Sequence, residues 1–184
     1  MTKIFLDEQI KIDQRKHRSE GKLLNALSFE YKKGMDFDKL EIKQFCQDAG
    51  VSRATFYRHH QDLTDVVVVQ FLIVIAEFKK QIDATEKIDF DNASEIVINT
   101  IYDNLELIKI LQWSNLQPKI QPLFSGMTRQ ILMLREYNKI KQEFVSEFLA
   151  NAILDFAQQI ALAQEPIDRS EALELYRLLI PNHL

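Results

Sequence analysis

Apolar residues recur every three or four positions along most of the chain, which is the spacing of an α-helix that buries one face. Residues 11–33 place Leu23 and Leu27 on one side, and Gly34 follows where a helix end adopts the left-handed cap conformation. The most regular segment is 139–163, in which apolar pairs recur every four residues. Strand-like alternation is scarce, so we predict an all-α protein.

The segment 66–78 is apolar on every side. Its valines and isoleucines favour a strand by propensity, and periodicity alone does not decide between strand and helix. Because no partner strand is evident, we interpret it as a buried helix. At this length it is too short to cross a bilayer, which takes about 20 residues as a helix. A helical pattern then continues over residues 92–112.

Prolines and capping residues mark the later helix boundaries. Pro118 and Pro122 bracket the start of the helix that follows. Pro166 ends the long helix, and Asp168 or Ser170 is positioned to cap the last one.

The formal net charge of −4 is the sum of two unlike parts. Residues 1–60 hold twelve Lys or Arg against nine Asp or Glu, a balance of +3, whereas residues 61–184 hold eleven against eighteen, a balance of −7. A basic N-terminal part on an acidic remainder is expected of a DNA-reading module attached to a separate body. The excess of +3 is small, so it gains weight only beside a motif.

Several function classes lack the residues that they need. The four glycines are too scattered for a phosphate-binding loop, and the single Cys46 excludes a disulfide framework and any multi-cysteine metal site. Neighbouring residues on a helix point about 100° apart, so His59 and His60 are poorly placed to chelate one ion. We expect no metal, no cofactor and no enzymatic activity. With no signal peptide visible, the expected location is the cytoplasm.

Residues 38–60 read as a short helix, a tight turn and a second short helix. Asp36 or Asp38 is the expected cap of the first helix, which presents Phe45 and Cys46 as packing positions.

The turn and the second helix have the residues that a sharp corner requires. Ala49 and Gly50 allow two helices to approach closely, and Val51 fills the space between them. Ser52 is the expected N-cap of the second helix, whereas Phe56 is expected to point inward.

The segment AGVSRATFYRHH resembles the DNA-binding signature of the TetR family of bacterial transcriptional regulators, which runs approximately I-A-x-x-A-G-V-S-x-G-T-F-Y-x-H-F-x-x-K. The motif and the helix before it cover roughly the first third of the chain; the remainder agrees with the family in length and all-helical plan. The residues that fall on the pattern, identical or conservative, are Phe45, Cys46, Ala49, Gly50, Val51, Ser52, Ala54, Thr55, Phe56, Tyr57 and His59.

The resemblance implies a three-helix helix-turn-helix DNA-binding domain at residues 1–65 and a larger helical domain for dimerisation and ligand binding at residues 66–184. It further implies a homodimer that binds operator DNA, most simply as a repressor released by a small-molecule effector, with no membrane association. An activator or co-regulator of the same fold, acting through a partner regulator, is the alternative.

The resemblance also assigns DNA contacts. Arg53 is the best base-reading residue, because Arg bidentate to guanine is the commonest specific contact. Ala54 and Thr55 suit a thymine methyl or a phosphate, and Tyr57 and His59 suit phosphates. The full set is Lys43, Ser52, Arg53, Ala54, Thr55, Tyr57 and His59. A basic run along the first helix suits the DNA backbone or minor groove: Arg15, Lys16, His17, Arg18 and Lys22.

Three positions depart from the family pattern. His60 stands in place of an aromatic residue, and Leu63 in place of a lysine that normally holds a phosphate. Glu41 stands at a helix start that is typically rich in threonine, where it would be repelled by phosphates. These departures predict altered or weaker operator binding and motivate the co-regulator alternative.

The second domain offers candidates for an effector cavity and a dimer face. Aromatic and sulfur-containing side chains suit a cavity between helices, although each suits the core equally well: Tyr102, Trp113, Phe124, Met127 and Tyr137. The stripe on 139–163, together with the last helix, suits a four-helix contact between two subunits, with an intrachain core as the alternative.

Overall fold

The computed structural model describes residues 14–86, 89–134 and 139–180, and all regular structure in these ranges is helical, as predicted. A short 3-10 helix at Phe37–Lys39 lies between the first two of nine α-helices in the described ranges. These are α1 Gln14–Lys32, α2 Ile42–Asp48, α3 Arg53–His59, α4 Leu63–Ala84, α5 Phe90–Asp103, α6 Leu105–Trp113, α7 Gln117–Leu134, α8 Lys139–Leu162 and α9 Arg169–Leu179.

The first helix ends as its sequence predicts, whereas the second begins later. Gly34 follows α1 with a φ of +72°, a conformation that glycine adopts without strain. The predicted caps Asp36 and Asp38 do not cap α2, because Asp36 precedes and Asp38 belongs to the 3-10 helix, which buries Phe37. Glu41 holds the N-cap position of α2 without a side-chain hydrogen bond.

The apolar segment 66–78 lies within α4, which confirms the buried helix. The predicted domain boundary after residue 65 therefore falls inside a continuous helix. One hydrophobic core spans that boundary and joins α1, α2 and α3 to α4, α6 and α7. Its members that are at most 1% exposed are Leu23, Leu27, Cys46, Phe56, Val66, Val67, Ile110, Leu111 and Ile120.

The predicted helical pattern over 92–112 is two helices, α5 and α6, separated at Asn104. The Asn104 backbone leaves the helical region, and its side-chain amide donates to the Thr100 carbonyl at 2.8 Å. Pro118 and Pro122 lie inside α7 and do not bracket its start. Pro122 is exposed, and its missing N–H removes one helical hydrogen bond, to the carbonyl four residues earlier.

The last two helices belong to a second core with α5. Asp168 caps α9 by accepting from the Glu171 N–H at 2.9 Å, as one of the two predicted alternatives. The Tyr176 ring packs edge-on against Phe156 with centroids 5.5 Å apart, and burial raises the pKa of Tyr176 to about 12.

The long helix α8 is apolar on two sides. Leu149 and Leu154 on its inner side are buried, so part of the predicted stripe is intrachain core. On its outer side, Phe144 and Phe148 are 75% and 57% exposed.

A buried polar cluster fixes α3 against α1 and α4. His60, the residue after α3, has its Nε2 3.0 Å from Glu20 Oε1, and both residues are at most 2% exposed. The buried Gln70 of α4 donates to Glu20 Oε2 and to the Glu20 carbonyl, each at 3.3 Å. The His60 ring also lies 5.3 Å from the Phe56 ring. His60 thus has packing and hydrogen-bonding roles where the family pattern has an aromatic residue.

We expect Glu20→Ala to lower the free energy of unfolding by about 3–5 kcal/mol, because it leaves buried polar partners without their acceptor. Urea unfolding followed by circular dichroism measures the change. The control Glu41→Ala removes an exposed carboxylate and should stay within about 0.5 kcal/mol. A loss below about 1 kcal/mol for Glu20→Ala would show that the cluster does not stabilise the fold.

Candidate nucleic-acid interface

The turn between α2 and α3 is closed by backbone and side-chain hydrogen bonds. Gly50 has a φ of +59°, which accounts for glycine at the corner. The Val51 N–H donates to the Cys46 carbonyl at 2.9 Å. Lys22 of α1 donates to the Gly50 carbonyl at 3.2 Å, so this member of the predicted basic run holds the corner in place.

Two of the predicted DNA contacts also cap α3. The Ser52 hydroxyl accepts from the Thr55 N–H at 3.1 Å, as expected of an N-cap. The hydroxyls of Ser52 and Thr55 lie 2.8 Å apart. Both hydroxyls are therefore already engaged, and Thr55 is half-buried.

The inner side of α3 decides which residues face outward. Phe56 is fully buried, with its ring 6.5 Å from that of Phe45, and His60 is buried beside it. At 100° per residue, Arg58 lies opposite these two side chains. Of the described residues of α2 and α3 with a predicted DNA contact, the exposed ones are Lys43, Ser52, Arg53, Ala54, Tyr57 and His59.

Arg58 is the exposed basic residue that the motif alone did not assign. Its place on the helix face follows from the inward position of Phe56, since the two are nearly opposite. Arg53, one turn before Tyr57, has its guanidinium carbon 5.9 Å from that ring. This cation–π contact holds the Arg53 side chain along the exposed surface.

Cys46 of α2 is buried beneath this exposed surface. Burial raises the pKa of the Cys46 thiol, and the nearby positive charge of Arg53 partly opposes the shift. Cys46 is therefore a buried thiol in its neutral form, not a reactive thiolate.

The start of α4 differs from a phosphate clamp in both shape and charge. Leu63 is buried in the core, so the departure at this position has a packing role. Asp62 accepts from the Asp65 N–H at 3.1 Å, and Asp65 accepts from the Gln61 N–H at 2.7 Å. Two carboxylates thus occupy the positive end of the helix, where they oppose a phosphate.

Two sets of predicted residues are only partly described. Arg15, Lys16, His17 and Arg18 fall on the first turns of α1, but their side chains lie outside the described part of the protein. Tyr137 lies outside the described residues altogether.

A cavity in the second part of the chain contains two of the predicted ligand residues. It lies among α4, α5, α6, α7 and α8, and Phe124 and Met127 of α7 contribute to its wall. Trp113 and Tyr102 do not line it, and their polar atoms bond backbone carbonyls. The Tyr102 hydroxyl donates to the Ile167 carbonyl at 2.6 Å, beneath the Arg169 guanidinium.

Trp113 connects α6 to the segment that follows α1. Its indole N–H donates to the Met35 carbonyl at 2.8 Å. The rings of Tyr31 and Phe37 pack edge-on against it, with centroids 5.7 and 5.2 Å away.

An ion pair adds to this connection. Lys32 at the end of α1 is paired with Glu106 in the first turn of α6. The hydrogen bond from Lys32 lowers the pKa of Glu106. Both side chains are largely exposed, so the pair orients the helices more than it stabilises them.

Among the described helices, none combines the length and the apolar character needed to cross a membrane. No family model matches the chain, and no curated protein matches it. Among solved structures, the chain is similar to Lin0861 from Listeria innocua, whose crystal structure was determined at 2.8 Å. The two are 28% identical, the alignment covers 92% of each chain, and the TM-score is 0.81. The similarity extends over nearly the whole all-helical fold.

Proposed function

We propose that this protein is a transcriptional regulator that binds operator DNA as a homodimer and acts as a repressor. Residues 1–65 form the DNA-binding part, and residues 66–184 form the dimerisation and regulatory part. The observation that supports this most strongly is α3 itself. This short helix follows a tight turn, is capped by Ser52 and packs on the core through its buried side chains. It presents two exposed arginines, Arg53 and Arg58.

The exposed face of α3 suits the major groove of DNA. In a recognition helix the N-terminal residues reach base edges, while flanking groups contact phosphates. Arg53 then reads bases, Ala54 contacts an apolar base edge, and Arg58, Tyr57 and Lys43 contact phosphates. The resemblance of residues 45–59 to the TetR signature supports the same assignment.

Dimerisation supplies the second half-site. Operator half-sites lie about 34–36 Å apart, so two copies of α3 must be held at that spacing. Four large apolar side chains are exposed to solvent in the single chain. They are Phe144 and Phe148 of α8 and Leu178 and Leu179 of α9. We assign them to the contact between subunits.

An effector would act by changing the spacing of the two recognition helices. It shifts the equilibrium only by its differential affinity for the two spacings. The continuous α4 connects the cavity to Leu63, shortly after α3. The Lys32–Glu106 and Trp113–Met35 contacts connect α6 to α1 and to the segment after it.

A co-regulator that binds DNA weakly and acts through a partner regulator is the second candidate. The buried Leu63 and the carboxylates of Asp62 and Asp65 favour it, because leucine offers no charge to hold a phosphate and the carboxylates repel one. Glu41 adds a further exposed negative charge.

We expect specific binding to the promoter DNA beside the protein's own gene, weakening with salt as phosphate contacts release counterions. If each subunit neutralises two phosphates, affinity falls about 100-fold between roughly 50 and 200 mM salt. Fluorescence anisotropy with labelled DNA measures this. Equal and weak binding to every promoter tested would contradict autonomous operator binding and favour the co-regulator.

We expect Arg53→Ala to weaken operator binding by about 5- to 150-fold, equivalent to about 1–3 kcal/mol, and to relax the preference for one base pair. Competition among operator variants measures the preference. Arg129→Ala is the control, since it removes an exposed arginine from α7. An unchanged base preference in Arg53→Ala would assign base reading to another residue.

We expect Phe148→Glu to convert the dimer to a monomer, because two carboxylates would meet in an apolar contact. Analytical ultracentrifugation measures the change. Phe29→Glu is the control, since Phe29 of α1 is 53% exposed, close to the 57% of Phe148. A dimer that persists in Phe148→Glu would place the subunit contact elsewhere.

A further inference from the structure

The cavity lies where α4, the helix after α3, packs against the later helices α5, α6, α7 and α8. Phe71 and Phe78 of α4 form one wall, Phe124 of α7 faces Phe71 with ring centroids 6.1 Å apart, and Ala157 of α8 lies on another side. Asn104, at the junction of α5 and α6, closes one end. The cavity therefore touches both α4 and the start of α6.

The lining is apolar and uncharged. Among the described residues that line it, none is charged, and three are polar: Thr100, Asn104 and Thr128. The Thr100 hydroxyl donates to the Ile96 carbonyl at 2.7 Å, and the Asn104 amide donates to the Thr100 carbonyl. These donors are thus engaged within the protein, so they offer little to an anionic group.

The size of the cavity limits what it holds. Its volume is about 60 Å³. A water molecule needs roughly 10–15 Å³ on this measure, whereas pockets for drug-sized ligands have volumes of about 300–1,000 Å³. The space thus exceeds that of one water but is far smaller than a drug-sized pocket.

We propose that this cavity is a binding site for a small uncharged apolar molecule, of the size of one aromatic ring or a short alkyl chain. An apolar cavity that binds benzene has a volume of about 150 Å³, so a ring enters as the surrounding helices move apart. Three phenylalanine rings supply edge and face contacts for such a ligand. A carboxylate on the same ring is excluded, because its charge would lose water without gaining a countercharge or a set of donors.

The regulatory consequence of this site rests on the proposed DNA-binding function, whereas the binding itself does not. A ligand that enlarges the cavity pushes α4 away from α7 and α8. It also displaces Asn104, which precedes α6. Both movements reach the DNA-binding part, through Leu63 and through the contacts of Lys32 and Trp113.

The test is thermal unfolding of the whole protein without DNA, with toluene as the probe and benzoate as its charged counterpart. A bound ligand at ten times its dissociation constant should raise the melting temperature by about 3–6 °C. We expect this rise with toluene and none with benzoate. No rise with toluene, or an equal rise with benzoate, overturns the proposal and leaves the salt-dependent DNA binding untouched.

Variants of α8 locate the site. Ala157→Leu fills the cavity and should abolish the toluene effect, whereas Ala161→Leu adds the same bulk at a buried position that does not line it. Ile153→Ala, which enlarges the cavity, is a second variant and should extend binding to naphthalene. Circular dichroism confirms that each variant is folded. A toluene effect that survives in a folded Ala157→Leu, with no gain of naphthalene binding in Ile153→Ala, overturns the assignment.

Discussion

The hydrogen bond between His60 and Glu20 sets the orientation of α3, and the exposed surface of the candidate interface depends on that orientation. Both side chains are buried, so neither exchanges its partner for water without a large cost. With Phe56 and His60 turned inward, helical geometry places Ala54 and Arg58 outward. Gln70 extends the same cluster to α4, so three helices share one polar anchor.

The proposed DNA-binding part, α1 to α3, is attached to the body by two kinds of contact besides the shared core. One attachment is covalent, because three residues join the end of α3 to α4, which contributes to the core shared with the body. The other is made by side chains, through Lys32 with Glu106 and Trp113 with Met35. Both attached helices, α4 and α6, contribute residues to the lining of the cavity.

Local features of the sequence were sufficient for most helices and for the α2–α3 corner. The Ser52 cap and the glycine corner were predictable because each depends on residues within three positions. The break at Asn104 was not, because the apolar spacing continues through it. Tyr102 and Trp113 were assigned to a cavity on aromatic character, yet their polar atoms bond carbonyls 65 and 78 residues away, which no local pattern reveals. Likewise, the partner of His60 lies 40 residues away.

Trp113 is the single tryptophan of the chain, and it lies at the side-chain attachment between the two parts. Its indole is half-buried between Tyr31 and Phe37 and donates to a backbone carbonyl, so both its solvent exposure and its polar partner change when the attachment loosens. The emission wavelength of an indole follows these two properties. The fluorescence of this one indole therefore reports whether the contact between α6 and the segment after α1 is intact, without an attached dye.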